Sequence, residues 1–348
     1  MDNKTVITKE TKNKIRVDYE GKLSFKERMT KKLKASNTWI KAGVNVMRFI
    51  LMLGVSFVII YPFITKIAGS FMTKEDVVDS TVSLIPKHFT LEIYQAIIVD
   101  THYGEALVNT IFLSIACALI QTLVSCLVGY GLAKFKFKGN SIVMLLVVIT
   151  MIIPHRTLQL AMYHHFIRFD IFKLFALENQ GLIQLITGSP LKLENTFWPY
   201  IILSVFGLAF KNGLYIYMMR QFFKGVPDEL EESAYVDGSG VFRTFFQIIL
   251  PLAVPMMITI FLFSFSWQWT DEFYASTFFS GASRETYLMP DIYKTIPESL
   301  YTDFAGKILY ENVIQNTAGM MIIAPLVIVY LFCQKYLVQG IERSGLVG

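Results

Sequence analysis

The chain has 348 residues, of which 53% are hydrophobic and 14% aromatic but only 17% charged. Charge this sparse on so apolar a chain excludes an ordinary soluble domain and a disordered one, and predicts a protein that crosses a membrane several times. The net charge of +5 does not point to nucleic acid, because the basic residues gather in the N-terminal tail and short connections. Cys117, Cys126 and Cys333 all fall in apolar runs without CxxC spacing, which excludes a disulfide or zinc framework and reads them as small buried hydrophobes.

From Met1 to Arg48 thirteen Lys/Arg face five Asp/Glu, with little apolar periodicity. No small-residue cleavage site follows the first apolar stretch, and Glu10, Asp18, Glu20 and Glu27 disfavour a transit peptide. Residues 1–46 therefore read as a basic cytoplasmic tail, with room for an interfacial helix near Phe25 to Lys34. Residues 47–348 read as an all-α, six-span membrane domain. Its apolar runs, each long enough to cross about 30 Å of hydrocarbon, are Phe49 to Ala68, Leu107 to Ala133, Ile142 to Tyr163, Tyr200 to Phe222, Leu252 to Trp269 and Val313 to Tyr336.

Six spans put both termini on one side. Lys134, Lys136 and Lys138 crowd the second-to-third connection, Arg220, Lys224 and Arg243 flank the fourth-to-fifth, and Lys335 and Arg343 close the C-terminus. The positive-inside rule makes that side cytoplasmic. Residues 71 to 106 read as an acidic external loop with short helical pieces, and 276 to 312 as a second long external loop.

Two features interrupt the spans. Pro154 removes a backbone donor in the third and predicts a kink or a break, a feature that in transporters often faces the pathway. At the end of the fifth, Trp267, Trp269, Thr270 and Asp271 set aromatic faces beside polar groups. That composition suits either a sugar site or an interfacial aromatic belt. His155, His164 and His165 have neither HExxH spacing nor a nearby nucleophile, and the chain contains no phosphate-binding P-loop.

The most distinctive stretch is the loop 224–251. Asp228 and Glu231 after Pro227 predict a capping box and a short helix. Gly238 predicts a turn, and Val241, Phe242, Phe245, Ile248 and Ile249 continue at amphipathic spacing to Pro251. The pattern predicts a helix–glycine–helix hairpin lying on the membrane surface.

This stretch resembles the EAA loop of bacterial ABC importer permeases. Glu232, Ser233 and Ala234 fill the Glu-Ala-Ala triplet, with Ser for the first Ala. Gly238 follows at the family offset, and Ile248, Leu250 and Pro251 close the motif. Glu231 and Asp237 beside it look like the carbohydrate-importer version. Asn109-Thr110, Gly129-Tyr130-Gly131-Leu132-Ala133, Met219-Arg220-Gln221-Phe222-Phe223 and the C-terminal Gln334 to Gly348 also resemble sugar-permease segments. Trp269-Thr270-Asp271 stands where the family carries Trp-Asn-Asp/Glu.

The resemblance implies a type I ABC importer permease fold and a cytoplasmic coupling helix. It also implies a bacterial plasma-membrane importer built with a second homologous permease, two ATP-binding subunits and an extracellular solute-binding protein. Its substrate would be a carbohydrate such as an oligosaccharide. ATP and Mg would sit on the partner ATPase, so this chain would bind no cofactor and catalyse nothing. The implied coupling residues are Glu231, Glu232, Ser233, Ala234, Asp237, Gly238 and Pro251; the candidate pathway residues are Pro154, Trp267, Trp269, Thr270 and Asp271. The connection around Phe172 to Asn195 is longer than the family pattern. An importer for polyamines, peptides or a glycerophosphodiester would keep the same loop, whereas a stand-alone membrane enzyme or channel would work without an ATPase.

Overall fold

The computed structural model describes residues 7–10, 16–19, 36–170, 181–279, 286–300 and 306–345. The chain divides into two compact units, Met1–Ala68 and Gly69–Gly348. In the first, strands β1 (Ile7–Glu10) and β2 (Arg16–Tyr19) form an antiparallel hairpin in which Ile7 pairs with Tyr19 and Glu10 with Arg16. The sequence reading expected no strands. The segment expected to hold an interfacial helix, Phe25 to Lys34, lies outside the described residues. Helix α1 runs Ser36–Gly69, longer than its apolar core.

The second unit is helical. In chain order it holds α2 (Lys74–Val78), α3 (Glu92–Asp100), α4 (Tyr103–Lys134), α5 (Asn140–Ile152), α6 (His155–Ile167), α7 (Leu182–Thr187), α8 (Trp198–Val205) and α9 (Asn212–Lys224). After these come α10 (Glu229–Val236), α11 (Val241–Trp269), α12 (Glu272–Phe278) and α13 (Lys307–Gly345). The long connection that departs from the family pattern lies partly outside the described residues. Where it is described, the buried Asp170 carboxylate accepts the N–H groups of Gly181, Ile183 and Gln184 at 2.7–3.2 Å, anchoring the start of α7.

Helix α4 is the spine of this unit and packs against α8, α9 and α11. Much of its buried face, including Ala106, Thr110, Ser114, Cys117, Ala118, Ser125 and Gly129, is made of small residues. Small residues let helix backbones approach where lipid supplies no hydrophobic drive between them. Gly129 shows the limit of that approach, since a Cβ there would stand 2.6 Å from Met219 Cβ on α9. Polar side chains lock the same helices. The Gln121 amide donates to Ser204 Oγ on α8 at 3.1 Å and accepts from Ser264 Oγ on α11 at 2.7 Å, all three residues being buried. At the other end of α4, the Tyr103 hydroxyl donates to the Met321 carbonyl of α13 at 2.9 Å.

Among the described residues, four helical stretches are long and apolar enough to cross a membrane: Gly43–Gly69, Tyr103–Lys134, Val241–Trp269 and Lys307–Leu337. A fifth arises if α5 and α6, bent by 100° at their junction, count as one span. That junction is Pro154, whose ring and missing N–H end α5 as expected. The predicted fourth span is also broken, and nothing in the sequence reading anticipated it. Between α8 and α9 the chain passes through Gly207 at φ +69° and Lys211 at φ +66°. The Leu203 carbonyl at the end of α8 accepts from both Leu208 and Ala209 N–H, closing the helix.

Candidate functional site

The loop 224–251 is built against the end of α4. Helix α10 ends at Gly238, whose φ of +80° is open to glycine and strained for residues with a Cβ. The Ser239 N–H reaches back to the Ala234 carbonyl at 2.9 Å and the Gly238 N–H to Tyr235 at 3.0 Å, the two bonds of a Schellman turn. Asp237 is the C-cap, with its own N–H on the Ser233 carbonyl. The turn is therefore fixed by hydrogen bonds as well as permitted by glycine.

The expected capping box is absent because its two carboxylates are used elsewhere. Asp228 makes no side-chain cap; its carboxylate accepts instead from Lys134 Nζ at 2.5 Å, and Lys134 donates also to the Val226 carbonyl at 2.6 Å. Glu231 is buried and accepts from the Tyr130 hydroxyl at 2.9 Å. Phe135, Phe223 and Phe245 surround the Tyr130 ring at centroid distances of 4.6–5.5 Å. Tyr130 and Lys134, one turn apart on α4, thus hold Glu231 and Asp228, one turn apart at the start of α10.

This fixes which face of α10 is free. Glu231 and Ala234 are buried, while Glu232 and Ser233 are exposed, with Ser233 Oγ donating to the Glu229 carbonyl at 2.7 Å. Two apolar side chains stand out beside them, Val236 at 87% and Phe242 at 80% exposure. Pro251 lies just past a π-helical turn, Phe245–Ile249, in which the Leu250 N–H reaches the Phe245 carbonyl five residues back. The wider turn accommodates the proline ring, which in a regular helix would press on the carbonyl four residues earlier.

Trp267, Trp269, Thr270 and Asp271 lie at the far end of α11, about 24 Å past Pro251 at 1.5 Å per residue. There the two chain breaks meet around a cavity of about 420 Å³ lined by Pro154, His155, Leu203, Gly207, Phe210 and Lys211 among others. His155 stands edge-on to Phe210 at 4.8 Å, and Phe210 edge-on to Trp267 at 5.6 Å. Lys211 Nζ lies 4.8 Å from the Phe210 centroid and 4.9 Å from that of Trp267.

Trp267 and Asp271 share a small adjoining pocket with Gln121, Phe210, Ser264 and Gln268. Asp271 caps α12 through Oδ1, which accepts from Phe273 and Tyr274 N–H, while its buried Oδ2 has no hydrogen-bond partner. Pro154, Trp267 and Asp271 are thus gathered about Phe210. Trp269 points elsewhere, buried with its indole N–H on the Ile322 carbonyl of α13 at 2.8 Å. The Thr270 hydroxyl turns back to the Ser266 carbonyl at 3.1 Å.

The sequence reading used Tyr130 and Lys134 for the family resemblance and the topology without tying them to the loop, and passed over Phe210 and Lys211. For the first two the signal was their spacing of four on one helix, matched by Asp228 and Glu231 three apart. For the last two it was Lys211-Asn212-Gly213, a polar interruption of an apolar run.

A helical membrane protein with interrupted helices around a cavity and a short exposed helix tied to its longest candidate span has the build of a transporter's membrane subunit. Residues 121–343 match the family described as binding-protein-dependent transport system inner membrane component, and the chain belongs to that family. It is therefore a multi-pass membrane permease subunit, not an enzyme. The chain is 27% identical over 308 residues to the probable starch degradation products transport system permease protein AmyC of Thermoanaerobacterium thermosulfurigenes, covering 86% of this chain and 96% of that protein. It is 25% identical over 307 residues to the galactooligosaccharides transport system permease protein GanQ of Bacillus subtilis, covering 86% and 94%. Among solved structures, a chain of a bacterial ABC transporter involved in import of the acidic polysaccharide alginate shares the fold. Its TM-score is 0.62 at 22% identity, over 87% of this chain and 98% of that one.

Proposed function

We propose that this chain is one of two homologous permease subunits of a bacterial ATP-driven importer for an oligosaccharide. Its partners in that reading are a second permease, two cytoplasmic ATP-binding subunits that carry ATP and Mg, and an extracellular solute-binding protein. The bent pair α5–α6 and the broken pair α8–α9 act as the third and fourth of six spans. Both termini and the loop 224–251 face the cytoplasm, in keeping with the lysines and arginines that flank it.

The observation that carries the reading is the two-faced build of α10. One face is bonded to α4 through Tyr130–Glu231 and Lys134–Asp228, and the other presents Glu232, Ser233 and Val236 outward, with Phe242 exposed at the start of α11. A surface helix fixed to a spine and offering apolar knobs suits a groove on an ATPase. Closure of the ATPases would push α10, and the push would pass through Tyr130 and Lys134 into α4 as a rigid-body movement. The sugar class is supported by the named relatives and by the aromatic surroundings of the cavity.

Extraction from native membranes in mild detergent, followed by identification of what accompanies the chain, tests the reading. A P-loop ATPase and a second six-span permease are expected. Recovery of this chain alone, still active on a solute, overturns it.

A further inference from the structure

The cavity between the two chain breaks has an electrostatic character that neutral sugar transport does not require. Among the described residues its lining holds one ammonium, that of Lys211, and no carboxylate. Lys211 interrupts the apolar run from Tyr200 to Phe222, where a cation is costly in a bilayer and tends to mark a ligand or ion path. Its backbone sits at φ +66°, a conformation that side-chain-bearing residues rarely adopt. No carboxylate among the described residues forms an ion pair with it. The Asp271 carboxylate belongs to the adjoining pocket and is committed through Oδ1 to the start of α12. Helices α6 and α9 both begin at the cavity, and neither start is capped by a side chain. Their positive ends add to the field of the ammonium.

We infer that the cavity takes a carbohydrate bearing a carboxylate, with the acid group on the Lys211 ammonium and a sugar face against Phe210. The inference deepens the carbohydrate-import reading and rests on it. A carboxylate matches the site better than a phosphate monoester, because one ammonium balances one charge. A phosphate monoester carries close to two charges at neutral pH and would leave one uncompensated among apolar walls.

The test is uptake of a labelled aldotriouronic acid (one uronate on two neutral sugars), its methyl ester and maltotriose by cells carrying the complete importer. The permease is wild type, Lys211→Met or Lys211→Arg, with membrane levels measured for each. Wild type is expected to take up the acid. Lys211→Met should cut that uptake about tenfold or more while lowering uptake of the neutral sugars far less, and Lys211→Arg should restore it. Lys211→Gly suits the backbone at φ +66° and gives the same comparison if the Met variant fails to reach the membrane. Acid uptake indifferent to Lys211→Met, or an equal fall for all three sugars, overturns the inference. So does a wild type that carries only the neutral sugars, and in that case the carbohydrate-import reading still stands. If none of the three sugars is carried, that reading falls as well.

Discussion

The two ends of α11 solve opposite problems. At its start the 224–251 loop is held tightly, by a Schellman turn, a buried phenol–carboxylate bond and an ammonium shared between Asp228 and the Val226 carbonyl. Around its far end the neighbouring helices are interrupted, at Pro154 and between Gly207 and Lys211, and the interruptions leave open space instead of packing. On the proposed reading one region would move as a unit with α4, and the other would accommodate the solute. If so, the chain joins a lever to a passage through α4, which packs against α8, α9 and α11.

The lever breaks most severely at Gly238. Gly238→Pro demands φ near −65° where +80° is found and removes the N–H donated to Tyr235, a local cost of about 3 kcal/mol or more. Uptake by the assembled importer should be abolished while the variant still reaches the membrane; normal uptake would show that the turn carries no coupling.

Next comes the Tyr130–Glu231 bond. Tyr130→Phe strands a buried carboxylate, which should destabilise the loop by about 1–3 kcal/mol. Glu231→Gln should cost less, and the double variant should be non-additive by about 0.5 kcal/mol or more. Amide exchange of residues 229–238 in detergent would measure all three, and strictly additive effects would mean the two groups do not act together.

The passage responds more mildly. Pro154→Ala restores a backbone donor at a bend that other packing also supports, so α5 and α6 should straighten only in part. A cysteine placed at His155 should become less reactive to a water-soluble thiol reagent in that background. Unchanged reactivity would assign the bend to tertiary packing alone.

The smallest effect is that of pH. The hydrogen bond and charge of the Lys134 ammonium hold the Asp228 carboxyl below the usual carboxylate range. A carboxyl lowered in the folded state contributes stability above its unfolded value, near 4, and loses it as pH falls through the folded value. Protection of residues 226–231, corrected for intrinsic exchange, should therefore hold steady from about pH 8 to 5 and fall only below about 4. A decline already at pH 6 would point to another titrating group.

Much of this was legible in the sequence, and the failures have physical causes. Long apolar runs located α1, α4, α11 and α13, because bilayer thickness dictates their length. Gly238 and Pro251 were legible because backbone geometry permits few residues there. The capping box was misread: Asp228 and Glu231 have the right spacing for it, but partners about a hundred residues away on α4 compete for both side chains. The fourth span was read as continuous because a window of apolar residues hides a short polar break such as Lys211-Asn212-Gly213. Trp269 and Trp267 look alike in sequence, yet one is buried against α13 and the other stands 47% exposed beside Phe210. Only packing separates them.

The central claim is that the outer face of α10 engages an ATPase. A cysteine replacing the exposed Glu232, in the intact complex within native membranes, tests it by cross-linking. The account predicts a product with a P-loop ATPase whose yield changes when ATP is added. A product only with an extracellular protein, or none while the complex still transports, would contradict it.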